Sequence, residues 1–195
     1  PAVALCAHIC DRSIAQGDTL LSYGHSRKAL EKFDAAVKAA PSAESYSARA
    51  SAWYYMGRDK EFLADVQEAL RLDSLHPEAN YQRALIAHQD MEDTTAVHYA
   101  NRALGRAGDP DLRQKVLIVR GEAFAKLGKI AQAISDLTKG TAGRMDDLDA
   151  LSTLAHLYDV NGDHEASLGV LEKRGKDAPD DIGNWSNRCF ELNTL

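Results

Sequence analysis

The sequence lacks the features that mark a membrane span, a disulfide framework or a nucleic-acid partner. Its 195 residues include only 5 prolines, 3 cysteines and 7% aromatic residues, and its formal net charge is −6. An odd number of cysteines does not make a disulfide framework, and no apolar run approaches the roughly 20 residues that span a bilayer. Proteins that bind a phosphate backbone nonspecifically are usually rich in lysine and arginine. We therefore expect neither a membrane span nor a nucleic-acid partner.

The residues that are abundant favour helices. The chain is 45% hydrophobic and 27% charged, which is typical of a folded chain and argues against long disorder. Alanine and leucine are frequent, and both lose little conformational freedom in a helix. The composition therefore indicates a helical protein.

A small residue recurs along the chain at nearly constant spacing. The steps between successive small residues are 33, 34, 37 and 34 residues. These residues are Gly17, Ala50, Ala84, Gly121 and Ala155. Seven residues beyond each is a turn position, which is glycine in four of five cases, as expected where a helix ends with positive φ. The turn positions are Gly24, Gly57, Met91, Gly128 and Gly162.

A second helix is predicted after each turn, because small and bulky residues alternate there too. The small positions are Ala29, Ala96, Ala133 and Ser167, followed by Ala36, Ala69, Ala103 and Gly140, with Phe62 and Arg174 as exceptions. The bulky residues between them are Phe33, Val66, Leu137 and Leu171. Small residues let two antiparallel helices approach closely, and a bulky residue nearby fills the remaining space. One such hairpin cannot bury its apolar face alone, so copies must stack.

This pattern resembles the tetratricopeptide repeat (TPR) family, a helix–turn–helix repeat of about 34 residues. The best matches are residues 120–124 (RGEAF) with Gly128 and Ala133, and residues 53–57 (WYYMG). The resemblance covers residues 10–195 and implies an all-α, right-handed superhelical solenoid of antiparallel helix hairpins. We expect an N-terminal helical extension (1–9), five repeats (10–42, 43–76, 77–113, 114–147 and 148–181), and a C-terminal capping helix or truncated sixth repeat (182–195).

Two irregularities modify the expected array. The step of 37 predicts a lengthened loop at residues 108–113, where Gly-Asp-Pro is typical of a turn. Trp185 and Cys189 occupy the bulky and small positions of another first helix, which is either a cap or the start of an incomplete repeat. The chain begins at Pro1 without a methionine, so a processed protein and an expression fragment are both open. The compartment is accordingly cytoplasmic or, after loss of a signal peptide, that of a bacterial periplasm.

Several charged or metal-like clusters are interpreted as structural. Arg49 and Arg120 each precede an aspartate by sixteen residues, Asp65 and Asp136, which predicts an ion pair within each hairpin. The aspartates at 146, 147, 149, 180 and 181 fall at predicted helix starts, where carboxylates cap free N–H groups. In a helix, Cys6 and Cys10 share a face while His8 points away, so no metal site is expected there. No cofactor is expected.

The resemblance places a partner on the concave surface lined by the first helices. Tyrosines there offer apolar area with a hydrogen-bonding tip, and amides can bond a peptide backbone. The expected groove residues are Tyr54, Tyr55, Tyr81, Gln82, His88, Gln89, Ile118, Glu122, Lys126, His156 and Asp159. Some family members hold a chaperone's C-terminal carboxylate in a cationic clamp. The matching positions here are Ile14, Asp18, Ala48, Glu78 and Gln82, which cannot form one, so we expect a neutral or basic peptide instead.

We therefore predict a non-catalytic protein–protein interaction scaffold that binds an extended peptide or a helix of a partner. The histidines are scattered over different repeats, and no phosphate-binding loop, nucleophile elbow or HExxH motif is present. Two alternatives stay open. The chain could be the TPR arm of a larger multidomain enzyme or of a secretion or assembly component. It could also be a self-assembly module that forms a homo-oligomer through the C-terminal helix around Trp185 and Phe190.

Overall fold

The computed structural model describes residues 2–143 and 147–177, and this part of the chain contains helices and no strands. Ten helices are found in it: α1 (Ala2–Ser22), α2 (Ser26–Ala39), α3 (Ala43–Tyr55), α4 (Asp59–Leu72), α5 (Pro77–Gln89), α6 (Asp93–Arg106), α7 (Pro110–Lys126), α8 (Ile130–Gly140), α9 (Leu148–Val160) and α10 (His164–Asp177). None of these helices is long and apolar enough to cross a bilayer. The predicted all-α class is confirmed. The predicted C-terminal helix, with Trp185, Cys189 and Phe190, lies outside the described residues.

The helices divide between two compact units, Pro1–Ile86 and Ala87–Leu195. In unit 1, α1 packs against α2 and α3 packs against α4, whereas in unit 2 α7 packs against α8 and α9 against α10. The boundary between the units falls within α5. Helices α3, α5 and α9 begin at the first residues of the predicted second, third and fifth repeats. Helix α1 runs without interruption through the predicted N-terminal extension into the first repeat.

The turn inside every hairpin has the same hydrogen bonds. In the first turn the Gly24 N–H donates to the Leu21 carbonyl at 2.9 Å, and the His25 N–H donates to the Leu20 carbonyl at 2.8 Å. This is a Schellman motif, which requires a left-handed residue after the helix. The other four turns repeat both bonds, and all five residues at the predicted turn positions have positive φ, including Met91 at 62°. The predicted turns are confirmed.

Close packing within a hairpin depends on the small residue of its first helix. A Cβ atom added to Gly17 would lie 2.3 Å from Phe33 Cε1, and one added to Gly121 would lie 2.8 Å from Leu137 Cγ. Phe33 and Leu137 are both fully buried. The two helices can therefore approach this closely only because glycine leaves room for the opposing side chain.

The extra residues of the third step lie in a helix and not in a loop. Helix α7 has 17 residues, whereas α3, α5 and α9 each have 13. The Asp109 side chain accepts a hydrogen bond from the Leu112 N–H at 2.9 Å, and Pro110 occupies the first turn of α7. The predicted lengthened loop at 108–113 is therefore wrong. Gly-Asp-Pro is typical of turns, but an aspartate cap followed by proline is also a strong helix start.

The predicted ion pairs within the hairpins are confirmed. Arg49 donates from Nε and Nη2 to the two carboxylate oxygens of Asp65, each at 2.8 Å. Arg120 makes the same two-pronged contact with Asp136, at 2.6 and 2.9 Å. Each pair joins a first helix to the second helix of its own hairpin, and both aspartates are buried.

The same arginines also reach the preceding hairpin, which the sequence pattern did not predict. Arg49 Nη1 donates to Asp34 of α2 at 2.9 Å, and Arg120 Nη1 donates to Asn101 of α6 at 2.6 Å. The planar guanidinium has enough donors to bind two partners at once. Each arginine therefore fixes both the register of its own hairpin and the position of the helix before it.

Candidate functional site

Unit 1 has a row of side chains along one side of its first helices. On α3, the residues at positions 44, 47, 51, 54 and 55 recur at the helical period and share one side of the helix. On α1, which contacts α3, Asp11 and Asp18 lie at the register positions of Glu44 and Ser51. On the neighbouring helix α5, Gln82 lies at the register position of Ala48 and joins this row through its hydrogen bonds to Ser47 and Ser51. We call this set the first-helix face of unit 1: Asp11, Asp18, Glu44, Ser47, Ser51, Tyr54, Tyr55 and Gln82.

Two exposed tyrosines lie at the end of α3 in this face. The exposed fraction is 39% for Tyr54 and 67% for Tyr55. Their ring centroids are 5.7 Å apart in an edge-to-face arrangement, and the Tyr54 ring lies 5.4 Å from that of Phe62 on α4. Tyr81 is half-buried, and its register position on α5 is seven residues earlier, about 10 Å along a helix axis. Tyr81 therefore matches Ser47 in register, and the predicted grouping of all three tyrosines stays a prediction.

Gln82 is buried against α3. It is 3% exposed, and its Nε2 donates to the Ser47 carbonyl at 2.9 Å and to Ser51 Oγ at 3.1 Å. A carbonyl oxygen only accepts hydrogen bonds, so the amide orientation is fixed with Nε2 toward Ser47. Gln82 Oε1 is buried and has no hydrogen-bond partner among the described residues. Gln82, which was predicted to line the groove, is therefore part of the floor of the face, and its Oε1 is an acceptor without a donor.

A histidine that was not among the predicted groove residues holds one carboxylate of the face. His76 Nδ1 accepts the Ala79 N–H at 3.3 Å at the start of α5, and His76 Nε2 lies 2.8 Å from Glu44 Oε2. Because Nδ1 acts as the acceptor, the ring proton is on Nε2, which donates to Glu44. This hydrogen bond lowers the pKa of Glu44 against the opposing effect of partial burial.

Two carboxylates of the face, those of Asp18 and Glu44, repel each other. Partial burial, followed by the nearby Glu44 carboxylate, raises the pKa of Asp18. Burial, followed by the charges of Asp11 and Glu44, raises the pKa of the Cys10 thiol. Glu44 therefore lies near Asp18 and the Cys10 thiol, and the carboxylates of Asp11, Asp18 and Glu44 are all exposed. The face carries three carboxylates and neither lysine nor arginine.

Unit 2 brings together two other predicted groove residues. His88 Nδ1 lies 2.7 Å from Asp93 Oδ1, and His88 Nε2 lies 3.7 Å from Glu122 Oε2. Burial raises the pKa of Glu122, and the carboxylates of Asp147 and Asp149 raise it further, while His88 acts in the opposite direction. This histidine is thus placed between carboxylates from α6 and α7.

The remaining predicted groove residues differ in exposure. Gln89, Lys126 and His156 are exposed, and Asp159 is half-buried, 3.0 Å from His164 Nδ1. Ile118 is different, because it is 6% exposed and belongs to the hydrophobic core of unit 2. Its prediction as a surface residue is wrong: it fills the space beside Gly140, whose missing Cβ allows the approach.

Part of the unit 1 face was not among the predicted groove residues. Glu44, Ser47 and Ser51 line α3 at helical spacing, a signal that was available in the sequence. Serine and glutamate on a helix do not by themselves distinguish a binding surface from an ordinary solvated one. The contact between His76 and Glu44 joins residues 32 positions apart and depends on how α5 begins, which the periodicity does not specify.

The cysteines of α1 differ in exposure. Cys10 is buried and its Sγ lies 3.8 Å from the Ala40 carbonyl, whereas Cys6 and His8 are exposed. Residues 2–143 and 147–177 contain no cluster of histidine, cysteine, aspartate and glutamate that could hold a metal ion.

Comparison with known proteins identifies the fold. No family model matches the sequence. DnaJ homolog subfamily C member 3 of Bos taurus is 25% identical over 231 residues, which cover 92% of this chain and 44% of that protein. The same protein of Mus musculus is 25% identical over 189 residues, covering 96% of this chain and 32% of that protein. The chain thus spans less than half the length of these relatives.

Solved structures are similar over nearly the whole chain. PilF of Pseudomonas aeruginosa has a TM-score of 0.74 at 15% identity, covering 97% of this chain and 91% of that one. TTC0263, a TPR protein of Thermus thermophilus, has a TM-score of 0.64 at 19% identity, with coverages of 94% and 98%. YrrB, a TPR protein with an unusual peptide-binding site, has a TM-score of 0.62 at 20% identity and covers 89% of each chain. The resemblance to TPR proteins is confirmed: the chain has their all-α fold.

Proposed function

We propose that this chain is a non-catalytic scaffold that binds an extended peptide or a helix of a partner protein on the first-helix face of unit 1. The observation that carries this proposal is the exposed pair Tyr54 and Tyr55. Tyr54 packs on Phe62 and meets Tyr55 edge-on, so each ring contacts another ring while part of its surface stays exposed. Aromatic side chains that are already ordered lose little entropy on binding, and they are frequent anchors of interfaces.

The polar residues beside the tyrosines support the same proposal. Ser51 is half-buried, and Gln82 has an acceptor without a partner among the described residues. Hydroxyl and amide groups of this kind can bond the backbone of a bound segment. YrrB, which has the same fold, has a peptide-binding site, so the architecture is compatible with this use.

Unit 2 is proposed as a second contact area. His88 and Glu122 are half-buried on first helices, and Gln89, Lys126 and His156 are exposed. These side chains include hydrogen-bond donors and acceptors, and they carry charges of both signs. The alternatives of an arm of a larger protein and of self-assembly stay predictions.

A peptide selection tests the proposal. We expect phage-displayed random peptides selected on the immobilised chain to bind it in solution by isothermal titration calorimetry. The variant Tyr55→Ala removes an exposed ring and should weaken that binding by about 1–2 kcal/mol, as for a typical interface anchor. Tyr54→Phe keeps the contact with Phe62 and tests the hydroxyl group alone.

Tyr23→Ala is the matched control, because Tyr23 is also exposed, at 75%, but lies outside the first-helix face. It should leave the affinity unchanged. Selected peptides that bind equally well to wild type and to Tyr55→Ala would refute the assignment of the face. A selection that yields no binding peptide would refute the peptide-binding function itself.

A further inference from the structure

His88 in unit 2 lies between two carboxylates, and each of its ring nitrogens faces one of them. Nδ1 is 2.7 Å from Asp93 Oδ1, a hydrogen-bonding distance that requires a proton between the two atoms. Because an ionised carboxylate only accepts, the single proton of a neutral ring is on Nδ1. Nε2 is then left with a lone pair, and it faces Glu122 Oε2 at 3.7 Å.

The contact between His88 and Glu122 lacks a proton in this state. A lone pair on Nε2 and an ionised carboxylate are both acceptors, and 3.7 Å is longer than a hydrogen bond. One additional proton, on either group, converts the contact into a hydrogen bond. His88 is on α5 and Glu122 is on α7, so that bond would join two first helices within unit 2.

The surroundings of Glu122 favour uptake of this proton. Burial raises the pKa of Glu122, and the carboxylates of Asp147 and Asp149 at the start of α9 raise it further. The His88 ring and the ammonium group of Lys126, on α7 itself, act in the opposite direction. A raised pKa means that the folded chain holds the proton at pH values where the unfolded chain has lost it, beginning near the ordinary value of 4.5.

We propose that His88 and Glu122 form a pH-sensitive clasp between α5 and α7, closed when Nε2 and the carboxylate share one proton and open when that proton has left. The hydrogen bond to Asp93 holds the ring with Nε2 toward α7. As pH rises the shared proton is lost, so the link between the two helices weakens. His88 and Glu122 belong to the second contact area proposed above, but the clasp itself does not require peptide binding.

Hydrogen exchange of the full chain, followed by mass spectrometry, tests the clasp. Protection factors of peptides from residues 84–90 and 118–126 are compared at pH 4.5 and pH 8, after correction for the pH dependence of intrinsic exchange. We expect wild type to be about fivefold less protected at pH 8, as for the loss of one hydrogen bond to a half-buried ionisable group. Equal protection at both pH values would overturn the proposal.

Two substitutions fix the clasp in opposite states. Glu122→Gln supplies an amide N–H to His88 Nε2 at every pH, so its protection should stay within about twofold of wild type at pH 4.5. His88→Asn keeps a donor for Asp93 but removes the atom that faces Glu122, so its protection should be low at both pH values. A fivefold pH effect that survives in His88→Asn would overturn the proposal, because burial of Glu122 alone would then explain it. An effect that survives in Glu122→Gln would overturn it too, because another group would then be titrating.

His164→Asn is the matched control. His164 Nδ1 lies 3.0 Å from a carboxylate of unit 2, that of Asp159, but this pair joins the two helices of one hairpin. The variant should keep the pH effect in both peptides, and its loss there would overturn the proposal. Far-UV circular dichroism checks that the variants are folded, and Glu122→Gln decides the question if His88→Asn is not.

The ring tautomer provides a second test in the unmodified protein. Long-range ¹H–¹⁵N spectra of His88 at pH 8 should show the proton on Nδ1 and none on Nε2. A proton on Nε2 at pH 8 would overturn the proposal, because the ring would then donate to Glu122 without taking up a proton.

Discussion

The packing of Gly17 against Phe33 allows a quantitative prediction for Gly17→Ala. The new Cβ would lie 2.3 Å from Phe33 Cε1 and 2.7 Å from both Cδ1 and Cζ, whereas ordinary carbon contacts are about 3.5–4.0 Å. Phe33 is fully buried, so its ring cannot move into solvent. Overpacking of this kind costs up to about 3 kcal/mol, while alanine in place of glycine gains about 1 kcal/mol of helix propensity. We expect a net loss of about 2 kcal/mol.

Thermal unfolding followed by far-UV circular dichroism measures this loss. For a chain of this size, the midpoint should fall by about 4–8 °C. Gly105→Ala is the control, because a Cβ at this position in α6 meets no atom within 4 Å. That variant should be more stable than wild type by about 1 kcal/mol. Equal midpoints for the two variants would refute the packing argument.

A compensating substitution sharpens the test. The second hairpin of unit 1 has Ala50 packed with Val66, so Gly17→Ala with Phe33→Val reproduces a pair that the fold already accommodates. Phe33→Val alone leaves a cavity and should cost about 2–3 kcal/mol. The double variant should be more stable than the sum of the single effects predicts, with a coupling of about 1–2 kcal/mol. Strict additivity would show that the ring and the small residue do not share one space.

Three further predictions concern the third turn, the start of α7 and the charge in unit 2. Met91→Gly should raise the free energy of unfolding by about 0.5–1 kcal/mol in urea denaturation, because Met91 is 86% exposed and holds a φ of 62° that only glycine adopts without strain. An unchanged midpoint would contradict this reason. Asp109→Ala should cost about 1 kcal/mol and speed hydrogen exchange in the first turn of α7, whereas Asp109→Asn should retain the cap. Glu122→Gln should stabilise the protein at neutral pH. Burial raises the pKa of this group above its ordinary value, so wild type loses stability as pH rises from about 4.5 through the folded-state pKa. The advantage of the variant should vanish below pH 4.5, and equal stability at pH 7 would refute the argument.

Much of the fold could be predicted because its main determinants are local and repeated. Glycine at a positive φ ends a helix wherever it occurs, and a sixteen-residue separation of arginine and aspartate spans any hairpin of this geometry. The exception at α7 has a local cause too. Asp109 and Pro110 fit both a turn and a helix start, and the choice depends on whether the following residues can pack, as Leu112 does with 6% exposure.

The candidate site was less predictable because its depth depends on the spacing between helices. Register alone assigns Gln82 and Ile118 to the same side of their helices as exposed residues. In the structure, both are buried, Gln82 against α3 and Ile118 beside Gly140. The width of the gap between two helices decides which residues of a row reach solvent. Packing elsewhere in the hairpins sets the width of this gap. The positions of residues along a helix do not contain that information.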